Sequence, residues 1–179
     1  DGDITRCPQP SLSAALAKKG ITVLSNNAAP ENDEFFYLPP VNIGKEIGIA
    51  VAEYFLNKGF QNFAYIGHDD MSYSTERERG FVERLAQENF SSPVLNTPER
   101  GNHGYDFLHQ QECDFLKSLP QPCAVFVAHD ERAVQILYAC SECNIAVPEG
   151  LAVMGVMNDT SVCNLAHPPL SSVCMNTEH

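Results

Sequence analysis

Two patterns of apolar residues alternate along the chain. Short unbroken apolar runs, such as residues 124–127, are typical of strands buried on both faces of a sheet. Longer segments repeat apolar residues every three or four positions, as Ile47, Ala50 and Val51 do, and this spacing predicts amphipathic helices. The alternation of strand and helix predicts an α/β fold, with a parallel sheet and helices on both of its faces.

The individual elements follow from these runs and from the residues that punctuate them. Ser11 and Asp130 are predicted helix caps, and Gly20 and Gly59 are predicted helix stops. The predicted helices are 11–19, 43–58, 75–88, 105–118 and 130–143, and the predicted strands are 21–24, 63–66, 93–96, 124–127 and 151–156.

A chain of 179 residues has room for one ordinary domain or for parts of two lobes. The chain passes most easily from the sheet of one lobe to the sheet of the other where a strand runs on into a loop. This favours crossovers between the lobes at Gly67 and at residues 170–174. We therefore expect residues 1–67 to belong to an N-terminal lobe and 68–169 to a C-terminal lobe. Residues 170–179 would return toward the first lobe.

Charge and composition exclude several classes of partner. The formal net charge is −12, from 11 basic and 23 acidic residues, so this chain by itself would be repelled by DNA. No apolar stretch approaches the ~18 residues of a membrane helix, and no signal segment opens the chain. Seven cysteines is an odd number, and the Cys140/Cys143 pair lacks a second CxxC, so we expect reduced thiols and a cytoplasmic protein.

Polar residues follow three of the predicted strands, where open α/β sheets bind their ligands. Asp69 lies just after the strand that ends near Gly67, and His129-Asp130 and Met157-Asn158 follow the next two strands. Arg77 comes a few residues after Asp69, in the first turn of a predicted helix. Carboxylates and a guanidinium suit a polyhydroxylated ligand, because its adjacent hydroxyls can donate hydrogen bonds to the carboxylates and accept them from the guanidinium.

Other interpretations of the same residues remain open at this point. Arg77 fits a solvent-facing helical arginine paired with a glutamate, and Asp130 fits a helix N-cap. A metal site built from His68, Asp69, His129 and Asp130 lacks the HxH or HxxxH spacing of such sites. Cys163 and His167 could be a nucleophile and its base, yet a short surface helix explains them equally well. The chain has no GxSxG, P-loop or GxGxxG, so we expect no enzyme, no metal and no cofactor.

Four segments in sequence resemble a known family: "NKGFQNFAYIG", "STERERGF", the run from Leu119 to Val156, and "PPLSSV". Together they are similar to the sugar-sensing core of lactose-repressor-type transcription regulators, which have the two-lobe periplasmic-binding-protein type I fold. Within that group the chain looks most like the xylose operon regulators. The resemblance covers the chain from its first residues to Val173, and in that family further core segments and a DNA-binding domain flank this portion.

The resemblance implies roles for individual residues. The family's effector-contacting arginine precedes a Gly-aromatic pair by three positions, which fits Arg77 before Gly80. His129-Asp130 occupy the place of a polar pair that reads the sugar. Met157 falls where the family has an aspartate, and a further aspartate would lie near Asn42.

The resemblance also implies a function. The chain would be the effector domain of a bacterial regulator, binding a small, pentose-like sugar by lobe closure. Its other partners would be a second copy of the protein and DNA, the latter only through a separate domain. The alternatives are the receptor of a sugar importer, which shares the fold, and a small α/β hydrolase.

The replacement of an aspartate by Met157 changes the expected chemistry. Charged hydrogen bonds contribute roughly 1.5–3 kcal/mol each, so the usual sugar could lose ~10²-fold or more in affinity. Asn158 or Asp159 could take over the contact, His129 could supply it, or the effector could present an apolar edge to the thioether. Alternatively, Met157 fills the core and Asn158 lines the site.

Overall fold

The computed structural model describes residues 2–5, 22–25, 44–98 and 105–175. The chain divides into two units, residues 1–42 and 43–179. In the first unit, β1 (Gly2–Thr5) and β2 (Thr22–Ser25) pair in parallel, with Gly2 opposite Thr22. Strand β2 confirms the strand predicted there, whereas β1 was not predicted. The predicted helix 11–19 and the possible site residue Asn42 lie outside the described residues.

The second unit is built on a five-stranded parallel sheet with the order β4-β3-β5-β6-β7. Every helix and strand predicted after residue 42 is present, with ends that differ by a few residues. The strands are β3 (Phe63–His68), β4 (Val94–Thr97), β5 (Cys123–Val127), β6 (Leu151–Val156) and β7 (Ser171–Val173). The helices are α1 (Gly44–Asn57), α2 (Ser72–Gln87), α3 (Tyr105–Ser118), α4 (Asp130–Glu142) and α5 (Thr160–Cys163).

Helices cover both faces of this sheet, as the unbroken apolar runs of its strands predict. Strand β5 is buried along its whole length, and its side chains alternate between two apolar clusters. Val125 and Val127 pack with Leu116 of α3 and residues of α4, while Phe126 packs with α1 and α2. The fold class predicted from the sequence is therefore confirmed. No helix in the described part of the chain is long and apolar enough to span a membrane.

Helices α1 and α2 approach each other closely through two glycines. A Cβ added at Gly48 would collide with the backbone of Arg77, and one added at Gly80 would collide with the backbone of Lys45. Phe81, next to Gly80, is fully buried in the cluster on this face of the sheet. The "RxxGF" segment thus fixes the distance between the two helices as well as the position of its arginine.

The structure corrects two helix starts. Strand β3 pairs with β5, and β7 pairs with β6, so the segments around Gly67 and 170–174 belong to one sheet of one unit, and the division of the chain into lobes stays a prediction. Helix α2 begins at Ser72, which places Arg77 in its second turn. The N-cap of α4 is His129, because its ring accepts from the backbone N–H of Arg132, so Asp130 is not the cap but the first helical residue.

Candidate functional site

The carboxyl ends of β3, β4 and β5 lie side by side. His68, the last residue of β3, is opposite Thr97 of β4, and Ile66 is opposite Val127 of β5. Side chains that follow these strands therefore meet at one edge of the sheet. This edge brings together most of the polar residues that the sequence singled out, and we call it the carboxyl edge.

Arg77 reaches the carboxyl edge from α2 and is 5% exposed. Its Nη1 donates to the carbonyl oxygen of Ala128, just after β5, and its Nη2 donates to Met175 Sδ at 3.3 Å. The guanidinium also lies over the ring of Tyr73, with 5.0 Å between Cζ and the ring centre. The interpretation of Arg77 as a solvent-facing arginine is therefore wrong.

The charge on Arg77 has little compensation within the protein. Burial lowers the pKa of its guanidinium, and the nearby Tyr65, Tyr73 and Asp130 oppose that shift. Among the described residues, Arg77 has no carboxylate in salt-bridge contact, and its buried Nε has no hydrogen-bond partner. A buried donor without a partner is costly, so Arg77 is held at this position at an energetic cost.

Asp130 is fully buried and ties three segments together. Its Oδ2 accepts from the backbone N–H of Asp159 at 2.9 Å, and its Oδ1 accepts from Ser172 Oγ at 2.6 Å. The thiol of Cys163 also donates to Oδ2, at 3.4 Å. Both carboxylate oxygens thus hold the loop after β6 and strand β7 in place. A contact between Asp130 and a ligand stays a prediction.

His68 and His129 form a pair at the carboxyl edge. Their Nε2 atoms are 3.2 Å apart, whereas their ring centres are 5.3 Å apart, so each Nε2 points toward the other ring. His68 Nδ1 lies 3.1 Å from the carbonyl oxygen of Thr97. His129 Nδ1 lies 2.7 Å from Glu131 Oε2. The sequence indicates His129 as a site residue, and His68 as one of the polar residues after Ile66 and as a candidate metal ligand.

A cavity of about 200 Å³ opens beside this pair, between α3 and α4. Arg132 forms a buried ion pair with Glu112 across it, and Arg132 Nη2 donates to Thr97 Oγ1 at 3.0 Å. Among the described residues, the buried Nε of Arg132 has no hydrogen-bond partner. Glu112 and Arg132 could not be predicted as a pair, because they are 20 positions apart on different helices and no local pattern joins them.

Met157 lies at the carboxyl edge with an unusual backbone. Its φ is +119° and that of Asn158 is +52°, in the region that favours glycine. Its N–H donates to the carbonyl oxygen of Val173 at 3.0 Å, and that of Asn158 donates to Ser172 Oγ at 2.9 Å. Because the Met157 side chain is 48% exposed, the core-filling interpretation is wrong. Such strain is typical of functional sites.

Asp69 and Asn158 are exposed at the rim of the carboxyl edge. Asp69 lies in the turn after β3, where its backbone N–H donates to the carbonyl oxygen of Thr97 at 3.4 Å. Both side chains are exposed to solvent. Their roles in binding remain predictions.

The surroundings of Cys163 are not those of an activated nucleophile. The Cys163 thiol contacts Asp130, and burial, aided by this carboxylate, raises the pKa of Cys163 to about 11. An activated cysteine needs the opposite shift. Within the ranges that the structure describes, no group of three or more His, Cys, Asp or Glu side chains could hold a metal ion.

A family model supplies the identification. The model of the periplasmic binding protein-like domain matches residues 52–179, which include the whole five-stranded sheet and every site residue described above. The chain belongs to this family. The resemblance derived from the sequence motifs is thereby confirmed.

Known relatives refine the comparison. The xylose operon regulatory protein of Escherichia coli K12 is 28% identical over 180 residues, which cover 97% of this chain and 45% of the relative. Its counterpart in Haemophilus influenzae is 33% identical over 125 residues, which cover 67% of this chain and 32% of the relative. A solved structure of a xylose-binding transcription activator matches with a TM-score of 0.73 at 24% identity, and the match covers 97% of this chain and 47% of the other. This match shows that the two proteins share a fold. The chain spans less than half the length of these relatives.

Proposed function

We propose that this chain is part of the effector-binding domain of a bacterial transcription regulator and that its effector is a small sugar. The observation that carries the proposal is the position of Arg77, a buried guanidinium at the carboxyl edge that donates to the carbonyl oxygen of Ala128 and to Met175 Sδ. A planar cation at such an edge suits the adjacent hydroxyl oxygens of a sugar. The names of the relatives, which are xylose operon regulators, support the same class of ligand.

The proposed mechanism is a shift between conformations, in which no covalent bond is made or broken. A sugar that binds between this sheet and a second lobe would favour the closed arrangement by its differential affinity for the two states. Arg77 would donate hydrogen bonds to the sugar oxygens, and its contact with Met175, whose sulfur is only a weak acceptor, is the one most easily exchanged for them.

The partners follow from charge and from the relatives. With a net charge of −12, this portion would contact DNA only through another domain of the complete protein. A cytoplasmic homodimer is the arrangement we propose, because DNA operators are commonly read by symmetric dimers. The importer-receptor alternative loses support, since the relatives are named as regulators.

Met157 is proposed as the residue that sets specificity. Its thioether is exposed, and by the family resemblance it replaces an aspartate that would accept hydrogen bonds from two hydroxyls, whereas a thioether favours an apolar ligand edge. We therefore propose an effector with fewer hydroxyls at this edge than xylose has, such as a deoxy sugar.

A thermal-shift screen of the complete protein against pentoses, hexoses and their deoxy forms tests this proposal. The wild type should be stabilised most by a deoxy sugar, and Met157→Asp should shift the preference toward xylose. Met157 already holds a side chain at this backbone position, and the unfolding transition of the variant in the same assay shows whether it is folded. Absence of any sugar response in both proteins would contradict the proposed ligand class, and an unchanged preference would contradict the role of Met157.

A further inference from the structure

The His68–His129 pair is part of a continuous chain of polar contacts. It runs from the carbonyl oxygen of Thr97 to His68 Nδ1, from Nε2 to Nε2, and from His129 Nδ1 to the carboxylate of Glu131. The three contacts measure 3.1, 3.2 and 2.7 Å. At both ends of this chain the partner is an oxygen that can only accept a hydrogen bond.

The partners decide how many hydrogens the two rings must carry. His68 Nδ1 needs a hydrogen for Thr97, and His129 Nδ1 needs one for Glu131. If both rings were neutral, both Nε2 atoms would then be bare and would face each other at 3.2 Å. One further proton between the Nε2 atoms satisfies all three contacts, which gives the pair a charge of +1.

A fourth contact shows a second way to satisfy the same atoms. The backbone N–H of Arg132 lies 3.4 Å from His129 Nδ1, which is the N-cap contact of α4. This contact needs a bare Nδ1, whereas the shorter contact to Glu131 needs a protonated one. The two contacts therefore belong to two protonation states of one ring.

We propose that His68 and His129 share one extra proton, and that release of this proton to solvent switches the N-cap of α4. With the proton bound, His129 Nδ1–H holds Glu131. Without it, His129 Nδ1 accepts from Arg132 N–H, His129 Nε2–H donates to His68, and Glu131 is released. Glu131 can move in this way because its side chain is 66% exposed.

Charged and titratable groups approach the pair from every neighbouring element. Helix α4 supplies Glu131 and Arg132, and α2 supplies Tyr73, whose ring centre is 6.1 Å from that of His129. From α3, His109 and Glu112 line the cavity beside the pair. The turn after β3 adds two exposed carboxylates, Asp69 and Asp70.

The switch is placed to act on the candidate site. Ala128, whose carbonyl accepts from Arg77, precedes His129, and Asp130, which holds β7, follows it. A change in the first turn of α4 would therefore reach both. This coupling to an effector rests on the proposed function, whereas the shared proton does not.

Long-range ¹H–¹⁵N NMR of the histidine rings in the complete, ligand-free protein tests the proton directly, between about pH 5 and 8. Signals are assigned with His68→Gln and His129→Gln. His68 Nδ1 should remain protonated throughout, while His129 Nδ1 should lose its hydrogen in a single step that both rings report. Glu131→Gln should move that step to lower pH, and Glu149→Gln, an exposed carboxylate before β6, should not.

Two results would overturn the inference. One is a His129 Nδ1 that is bare at every pH, and the other is two independent steps, each unaffected by replacement of the other histidine. Calorimetry of sugar binding in buffers with different ionisation enthalpies measures the coupling separately. A protein that shows the NMR step but binds no sugar would contradict the proposed function and leave the shared proton standing.

Discussion

Replacing Asp130 tests whether its buried carboxylate holds the carboxyl edge together. The side chain is fully buried and accepts from the backbone N–H of Asp159 and from the hydroxyl of Ser172, at 2.9 and 2.6 Å. Asp130→Ala removes both contacts at once. It therefore frees the loop after β6 and strand β7 from α4.

The size of the effect follows from these two contacts. Each hydrogen bond to a charged acceptor contributes roughly 1.5–3 kcal/mol. The desolvation of a buried carboxylate already offsets part of that gain, so we expect Asp130→Ala to lower the free energy of unfolding by about 2–4 kcal/mol. Asp130→Asn keeps the shape and one acceptor oxygen, so its cost should be about half as large.

Urea unfolding of the complete protein, followed by circular dichroism, measures both variants. Glu149→Ala serves as the control, because this exposed glutamate should change the stability by less than about 0.5 kcal/mol. An Asp130→Ala cost below about 1 kcal/mol, or one equal to that of the control, would refute the reasoning.

Three further predictions concern packing, backbone strain and thiol reactivity. Gly80→Ala should destabilise the protein by about 1–3 kcal/mol although alanine favours helices, because its Cβ would meet the backbone of Lys45; a higher melting temperature would contradict this. Met157→Gly should unfold at a higher urea concentration than Met157→Ala, by about 1 kcal/mol in stability, since glycine accepts the positive φ; equal midpoints would exclude strain there. In the folded protein, iodoacetamide should modify the exposed Cys174 much faster than Cys123, because burial raises the pKa of the Cys123 thiol to about 12; mass spectrometry showing equal rates would disprove the burial.

The elements of the second unit could be predicted because their signals are local. The unbroken apolar run of β5 and the helical spacing of Ile47 and Val51 report burial directly. The lobe boundary could not be predicted in the same way. Where a strand leaves one sheet depends on its hydrogen-bonded neighbours, and the pairing of β7 with β6 is not written in either segment alone.

In the candidate site, too, residues with a local sequence signal could be predicted, and residues that depend on distant contacts could not. Residues that directly follow strands, such as His129 and Met157, could be located because parallel strands end at one edge. The burial of Arg77 could not be derived from its own polar helix, since it depends on Ala128 and Met175, 51 and 98 positions away. Only the family resemblance favoured its role in advance. The Glu112–Arg132 pair had no comparable motif to indicate it.

Calorimetric titration of sugars into the complete protein, as wild type, Arg77→Gln and Arg79→Gln, tests the central claim most directly. Both arginines lie on α2, but Arg79 is exposed and paired with Glu76, whereas Arg77 is buried at the carboxyl edge. Circular dichroism confirms that each variant is folded. We expect Arg77→Gln to weaken sugar binding by about 10-fold or more, with Arg79→Gln unchanged, because a charged hydrogen bond contributes roughly 1.5–3 kcal/mol. A folded Arg77→Gln that binds the sugar as tightly as wild type would contradict the account.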